Sequence, residues 1–271
     1  MELSSRGVDL HVTDRGSGRP LVLISGWTFG ATVFDRNVER LAQGHRVITV
    51  DLRGQGKSAD VAHGWDIPTA AGDVAALVST LDLEGAVLVG WSMGAQVAVN
   101  AILGHPESVA GLVVVDMTPR VLAEDGWPHA AFGNLTAEAA LGIAGGFQVD
   151  REATGGQLLP AFFANPLDEA TAAHFGADHA RCCTEAVVSY LASMATQDLR
   201  ERAAQISVPT LVLTGASSAV YPTDVGAWWV ANVRRATAHA VGGAGHALFW
   251  EQPDAFAEAV EHFTSGLRPA A

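Results

Sequence analysis

Cysteine and lysine are almost missing from this 271-residue chain, which holds two cysteines, Cys182 and Cys183, and one lysine, Lys57. Two adjacent cysteines cannot build a disulfide framework or a cysteine-based zinc site. A bridge between neighbours is strained, so the pair reads as reduced thiols on a helix. Charge is scarce as well: 17% of residues are charged and 49% hydrophobic, which excludes a disordered chain and supplies material for a large core. The 16 Lys and Arg residues face 29 Asp and Glu, a net charge of −13, and the arginines are scattered. Nucleic acid and anionic membrane surfaces need clustered positive charge, so neither is expected as a partner; a small, neutral or apolar molecule is. No apolar run reaches the ~18 residues of a membrane span, and the opening MELSSRGVDLH lacks the charged start and apolar stretch of a secretory signal. The expectation is a soluble cytoplasmic protein with one large domain, or one domain carrying an insertion.

What is present alternates. Short β-rich apolar runs at Pro20–Ser25, Arg46–Val50, Ala86–Gly90, Val109–Asp116, Pro209–Thr214 and Ala236–Val241 read as strands. Glu2–Leu3 and Val8–Thr13 read as a leading hairpin. Apolar residues at three- and four-residue spacing mark helices at Thr32–Leu41, Pro68–Leu81, Gly94–Leu103, Thr223–Val230 and Asp254–Phe263. The pattern is that of an α/β fold, an eight-stranded, mostly parallel sheet flanked by helices. From Thr118 to about Ser207 the alternation stops, and only helical patterns remain, around Thr136–Gln148, Glu152–Phe163, Asp168–Cys182 and Glu185–Thr196. That stretch is too long for a loop, so residues 118–207 are expected to form an all-helical cap inserted into a core of residues 1–117 and 208–271.

Within Ala86–Val99 an apolar strand runs into Gly90-Trp91-Ser92-Met93-Gly94 and then into a small-residue helix. A serine on so sharp a strand-to-helix turn needs glycines at both flanking positions, because strand and helix backbones approach closely there. The turn lifts Ser92 above the carboxyl ends of the strands, at a helix N-terminus where developing negative charge is favoured. Two further segments stand out: Asp51-Leu52-Arg53-Gly54-Gln55-Gly56-Lys57-Ser58, and Gly243-Ala244-Gly245-His246-Ala247-Leu248-Phe249-Trp250-Glu251-Gln252-Pro253. The first ends like a phosphate-binding loop, but that motif requires glycine where Asp51 stands, so ATP binding is rejected.

With its serine elbow, the turn after the fourth strand and the late histidine loop, the sequence resembles the α/β-hydrolase superfamily over essentially its whole length. The resemblance implies Ser92 as nucleophile and His246 as general base, a histidine able to take the serine proton and return it to the leaving group. It also implies backbone N–H donors for an oxyanion from Trp27, in Ser25-Gly26-Trp27-Thr28-Phe29-Gly30, and from Met93. Here the chain departs from its relatives: the position after the seventh strand that usually carries the acid is Ser218. Asp116, at the end of the sixth strand, is expected to orient His246 instead, as in some superfamily members; Asp224 is the second candidate, and a Ser–His pair without an acid the third. Phe29, Trp91, Trp127, Phe147, Phe162, Phe163 and Leu248 are expected to line an apolar substrate pocket.

The expected activity is hydrolysis of a carboxylic ester or lactone through a Ser92 acyl-enzyme, with no metal and no organic cofactor. Epoxide-hydrolase and dehalogenase chemistry would need a carboxylate where Ser92 stands. Two other readings stay open: a cofactor-independent ring-cleaving dioxygenase using His246 and Asp116, and a non-catalytic small-molecule receptor on the same fold.

Overall fold

Four strands whose residues are almost all buried make up the middle of the molecule: β3 (Arg19–Ile24), β5 (Ala86–Trp91), β6 (Val109–Val115) and β7 (Thr210–Gly215). In a computed structural model, which describes residues 1–105 and 109–268, they belong to one eight-stranded sheet. Strands that read as unbroken apolar runs do so because helices cover both faces of a parallel sheet. The remaining strands are β1 (Glu2–Ser5), β2 (Val8–Gly16), β4 (His45–Val50) and β8 (Ala236–Val241), in the order β1-β2-β4-β3-β5-β6-β7-β8. The β1–β2 and β2–β4 pairs are antiparallel and all others parallel.

Around the sheet lie α1 (Asp35–Leu41), α2 (Ile67–Thr80) and α3 (Met93–Gly104), all before β6. After β7 come α8 (Val225–Asn232), α9 (Leu248–Glu251) and α10 (Pro253–Ser265). Between β6 and β7 the chain forms α4 (Ala137–Val149), α5 (Arg151–Leu158), α6 (Glu169–Ala180) and α7 (Thr184–Thr196). Three of these four begin with a side-chain cap: Thr136, Asp150 and Asp168 accept the N–H groups of Ala139, Ala153 and Thr171. Each such cap contributes about 1 kcal/mol to a helix that has little apolar face to bury. Where the chain leaves the sheet and returns to it, Arg120 and Asp198 form an isolated bridge, and the Arg120 guanidinium holds the Asp198 carboxylate at 2.8 Å.

Two expected helices are shorter than their apolar spacing implied. The Thr32–Leu41 pattern divides into a 3-10 turn, Ala31–Phe34, and α1. The Glu152–Phe163 pattern ends as a helix at Leu158 and continues as a 3-10 turn, Leu159–Phe162, in which Pro160 disfavours further α-helix.

Candidate active site

The turn between β5 and α3 is built by exclusion. A Cβ on Gly90 would lie 2.3 Å from the Gly94 carbonyl oxygen, and one on Gly94 would lie 2.2 Å from that of Ile24. Only glycine admits this approach, and it forces the residue between them into an uncommon conformation: Ser92 has φ 52° and ψ −124°. Strain of this kind costs on the order of 1–3 kcal/mol and persists only where the surroundings over-determine it. Here the Ser92 N–H donates to the Val115 carbonyl at the end of β6.

One strand over, Asp116 also has a positive φ, 44°, which aspartate tolerates better than most residues. Its N–H donates to Leu213 O at 2.7 Å. The carboxylate is fully buried, and every contact of it is a donor. Oδ1 accepts the Gly215 N–H at 3.0 Å; Oδ2 accepts the Ser218 hydroxyl at 2.7 Å and His246 Nδ1–H at 2.7 Å. A carboxylate can only accept, so the imidazole carries its proton on Nδ1 and leaves Nε2 free to act as a base. The histidine loop is fastened from several sides. Trp91 Nε1–H donates to His246 O, Glu251 accepts the Gly245 N–H, and the Ala247 N–H donates to Phe162 O. Gly215 admits that loop, since a Cβ there would lie 2.0 Å from Gly245 O.

The segment after β3 completes the arrangement. Gly26 lies so near the elbow that a Cβ would meet the Trp91 ring at 2.9 Å and the Ser92 Cβ at 3.2 Å. Among the described residues the N–H groups of Trp27 and Met93 have no protein acceptor, so both remain available to an anionic oxygen. The helical insertion holds this segment through polar contacts. Asp178 accepts the Gly30 N–H at 2.7 Å, Cys182 Sγ–H donates to Thr28 O at 3.1 Å, and Trp27 Nε1–H donates to Val187 O at 2.7 Å. Burial pushes the Cys182 thiol up to about 12, which keeps it a donor. Burial likewise raises the Asp178 carboxyl to about 6; the Asp51 charge adds to this, while hydrogen bonds from Thr32 and the Gly30 N–H oppose it.

A family model described as the alpha/beta hydrolase family matches residues 21–259. The chain belongs to this family. Among curated relatives it is 28% identical over 261 residues to AB hydrolase superfamily protein YisY of Bacillus subtilis, covering 95% of this chain and 96% of that protein. It is 29% identical over 268 residues to a pimeloyl-[acyl-carrier protein] methyl ester esterase of Xanthomonas oryzae, covering 95% of this chain and 100% of the relative. Among solved structures, an esterase from Exiguobacterium antarcticum superposes with a TM-score of 0.92 at 26% identity, over 98% of this chain and 99% of the other.

In this α/β hydrolase, Ser92 and His246 line one small chamber of about 50 Å³. Trp27, Trp91 and Phe162 line it too. Of the seven residues expected to line a substrate pocket, Trp91 and Phe162 line this chamber. Phe29 and Phe147 line a neighbouring cavity of about 660 Å³ beneath α5 and α6, which shares Trp27 and Phe162 with the chamber. Trp127 packs edge-on against Trp228 and donates from its indole to Arg120 O; Phe163 packs against Phe175; Leu248 is fully buried at the start of α9. These three follow the commoner fate of large apolar side chains, which is core packing.

In their stead the insertion supplies Leu135, Ile143, Leu191 and Met194, and the loop after β7 supplies Val220 and Tyr221. Nothing in their type separates such aliphatic residues from core. Tyr221 carried a signal: a phenol directly before Pro222, in the loop that ordinarily bears the acid. Asp224, the second candidate acid, lies on the surface just before α8, with its carboxylate on His129 Nδ1 at 3.1 Å. No group of three or more His, Cys, Asp or Glu side chains among the described residues is arranged to hold a metal ion, and no described helix is long and apolar enough to cross a membrane.

Proposed function

We propose that the protein hydrolyses a carboxylic ester or lactone of a small apolar substrate. Ser92 is the nucleophile, His246 the general base and Asp116 the acid that orients it. The observation that carries this reading is the 2.7 Å contact from His246 Nδ1 to Asp116 Oδ2 at the wall of the chamber that holds Ser92. With Nδ1–H engaged, His246 Nε2 takes the Ser92 proton as Oγ adds to the substrate carbonyl, and the carbonyl oxygen becomes an anion facing the Trp27 and Met93 N–H groups. As the intermediate collapses, the alcohol leaves with the proton held by His246; water then repeats the sequence on the acyl-enzyme. The named activities of the Xanthomonas and Exiguobacterium relatives support ester hydrolysis. A chamber of about 50 Å³ with apolar walls suits a short acyl group or a small ring.

The test pairs labelling with substitution. A fluorophosphonate is expected to label Ser92, and Ser92→Ala to lower hydrolysis of short acyl esters by ~10³–10⁶ with the fold intact. Oxygen consumption on ring substrates by an unlabelled protein would point to the dioxygenase reading, and ligand binding with neither reaction to the receptor.

A further inference from the structure

The loop after β7 holds a group that this mechanism leaves idle. At the position where relatives usually carry the acid, Ser218 donates its hydroxyl proton to Asp116 Oδ2 and accepts the N–H groups of Val220 and Tyr221 at 3.3 Å each. The serine thus ties the acid to the backbone of the next residues. Tyr221 follows from that tie. Its ring stands edge-on to His246 with centroids 5.5 Å apart, and it lines the chamber that holds Ser92. Burial and the Asp116 charge hold the phenol well above its ordinary pKa, so it stays a donor throughout the working range.

The oxyanion donors, the N–H groups of Trp27 and Met93, belong to the segment after β3 and to the start of α3. Tyr221 instead stands beside His246 in the Ser92 chamber, and His246 is the group that delivers the leaving group's proton. We propose that Tyr221 is a further catalytic residue, whose hydroxyl donates a hydrogen bond to the leaving-group oxygen during acylation. In that step the bond between the carbonyl carbon and the leaving oxygen breaks, and the electron pair goes to the oxygen. The His246 imidazolium delivers the proton, while Tyr221 keeps its own and stabilises the charge that accumulates before transfer is complete. Ser218 is a positioning residue in this arrangement.

The proposal rests on the Ser92 acyl-enzyme reading, which fluorophosphonate labelling of the unsubstituted protein tests by itself. Its own test is Tyr221→Phe, which keeps the ring against His246 and removes only the hydroxyl, assayed as kcat/KM on acetate esters running from 4-nitrophenyl through phenyl to ethyl. A poor leaving group needs the donor more than a good one. The expected loss is about 30-fold for the ethyl ester and about 3-fold for the 4-nitrophenyl ester, within the ~10²–10³ ceiling for a single preorganised donor. The ratio of the two losses does not depend on how much of the variant is folded. An equal loss across the series, including complete loss on every ester, would overturn the proposal, because it would assign the hydroxyl to the oxyanion or to holding Ser92.

Discussion

The edge of the sheet that carries the candidate site and the helical insertion above it are held by different means. At the edge, Ser92 and Asp116 directly follow strands and are fixed by backbone hydrogen bonds, His246 sits in the loop after β8 held by the Ala247 N–H, the Trp91 indole and Glu251, and Gly26, Gly90, Gly94 and Gly215 permit approaches that no Cβ would survive. The insertion is held by side chains: three capped helices, the Arg120–Asp198 bridge at its base, and the contacts of Asp178, Cys182 and Val187 with the segment after β3. Backbone crowding leaves a residue-type imprint, since only glycine serves. Side-chain walls leave little, since many combinations of aliphatic and aromatic residues enclose the same volume. Precision at the edge and tolerance in the insertion are the expected consequence, and each can be pressed.

The hardest blow to the edge is Asp116→Asn. Volume is kept, but the charge is lost and an N–H can be turned toward His246 Nδ1, favouring the wrong tautomer. In a serine protease this change costs ~10⁴ in kcat, and a loss of similar size is expected here. Steady-state kinetics on a short ester would show it. A loss under ten-fold would mean that the 2.7 Å contact does not orient the base.

The same contrast governs what could be read without the structure. The strands lie within a few residues of their apolar runs, and the elbow and the histidine loop were visible as glycine-flanked motifs. Asp116 is reached by elimination, because Ser218 stands where a carboxylate is expected; the Ser218 hydroxyl's bond to Asp116, across 102 residues of sequence, is not legible without the structure. The pocket walls were the least legible. Phe29 and Phe147, expected in one apolar pocket with Trp91 and Phe162, line the cavity beside the chamber, and Trp127, Phe163 and Leu248 pack in the core. Aromatic type reports a need for burial and says nothing of which cavity provides it.

Phe162 is where the insertion is most open to redesign. It lies between the two cavities, with its ring 5.2 Å from that of His246 and 6.3 Å from that of Trp91, and only its backbone carbonyl fastens the histidine loop. Phe162→Ala keeps that carbonyl and joins a chamber of about 50 Å³ to one of about 660 Å³. The ratio of kcat/KM for an octanoate ester to that for an acetate ester is expected to rise about ten-fold, in line with one to two methylenes' worth of pocket discrimination. An unchanged ratio would show that the cavities stay separate.

A smaller effect sharpens the link between the two regions. Asp178 spans them, and burial holds its carboxyl at about 6 against an ordinary 3.8. A raised carboxyl binds its proton more tightly in the folded state, so its contribution to stability falls as pH rises through that interval and stays low above it. Asp178→Asn keeps a carbonyl for the Gly30 N–H and removes the titration. Between pH 4.5 and 7.5 the unfolding free energy of the variant relative to the parent should move in the variant's favour by about 2 kcal/mol. Denaturant unfolding at the two pH values measures it, and a constant difference would mean that the carboxyl does not titrate there.

The smallest effect expected is also the control for the largest. Asp224 follows β7, as the acid does in most relatives, and it has a histidine partner, so position and pairing alone could pass for catalysis. That partner is His129, not His246, and the Asp224 side chain is 73% exposed. An exposed pair of this kind contributes about 0–1 kcal/mol, screened further by salt. Asp224 caps no N–H of α8 with its side chain; its backbone carbonyl does that work, accepting from Ala227 and Trp228. Asp224→Asn keeps the backbone and almost all of the shape, so kcat/KM should stay within about two-fold of the parent and stability within about 0.5 kcal/mol, as for an ordinary surface change. Assayed beside Asp116→Asn on the same ester, the pair separates the two strand ends directly. Collapse in Asp224→Asn with survival in Asp116→Asn would return the acid to the strand that usually bears it, and would leave the buried carboxylate on β6 as a structural anchor for Gly215 and Ser218.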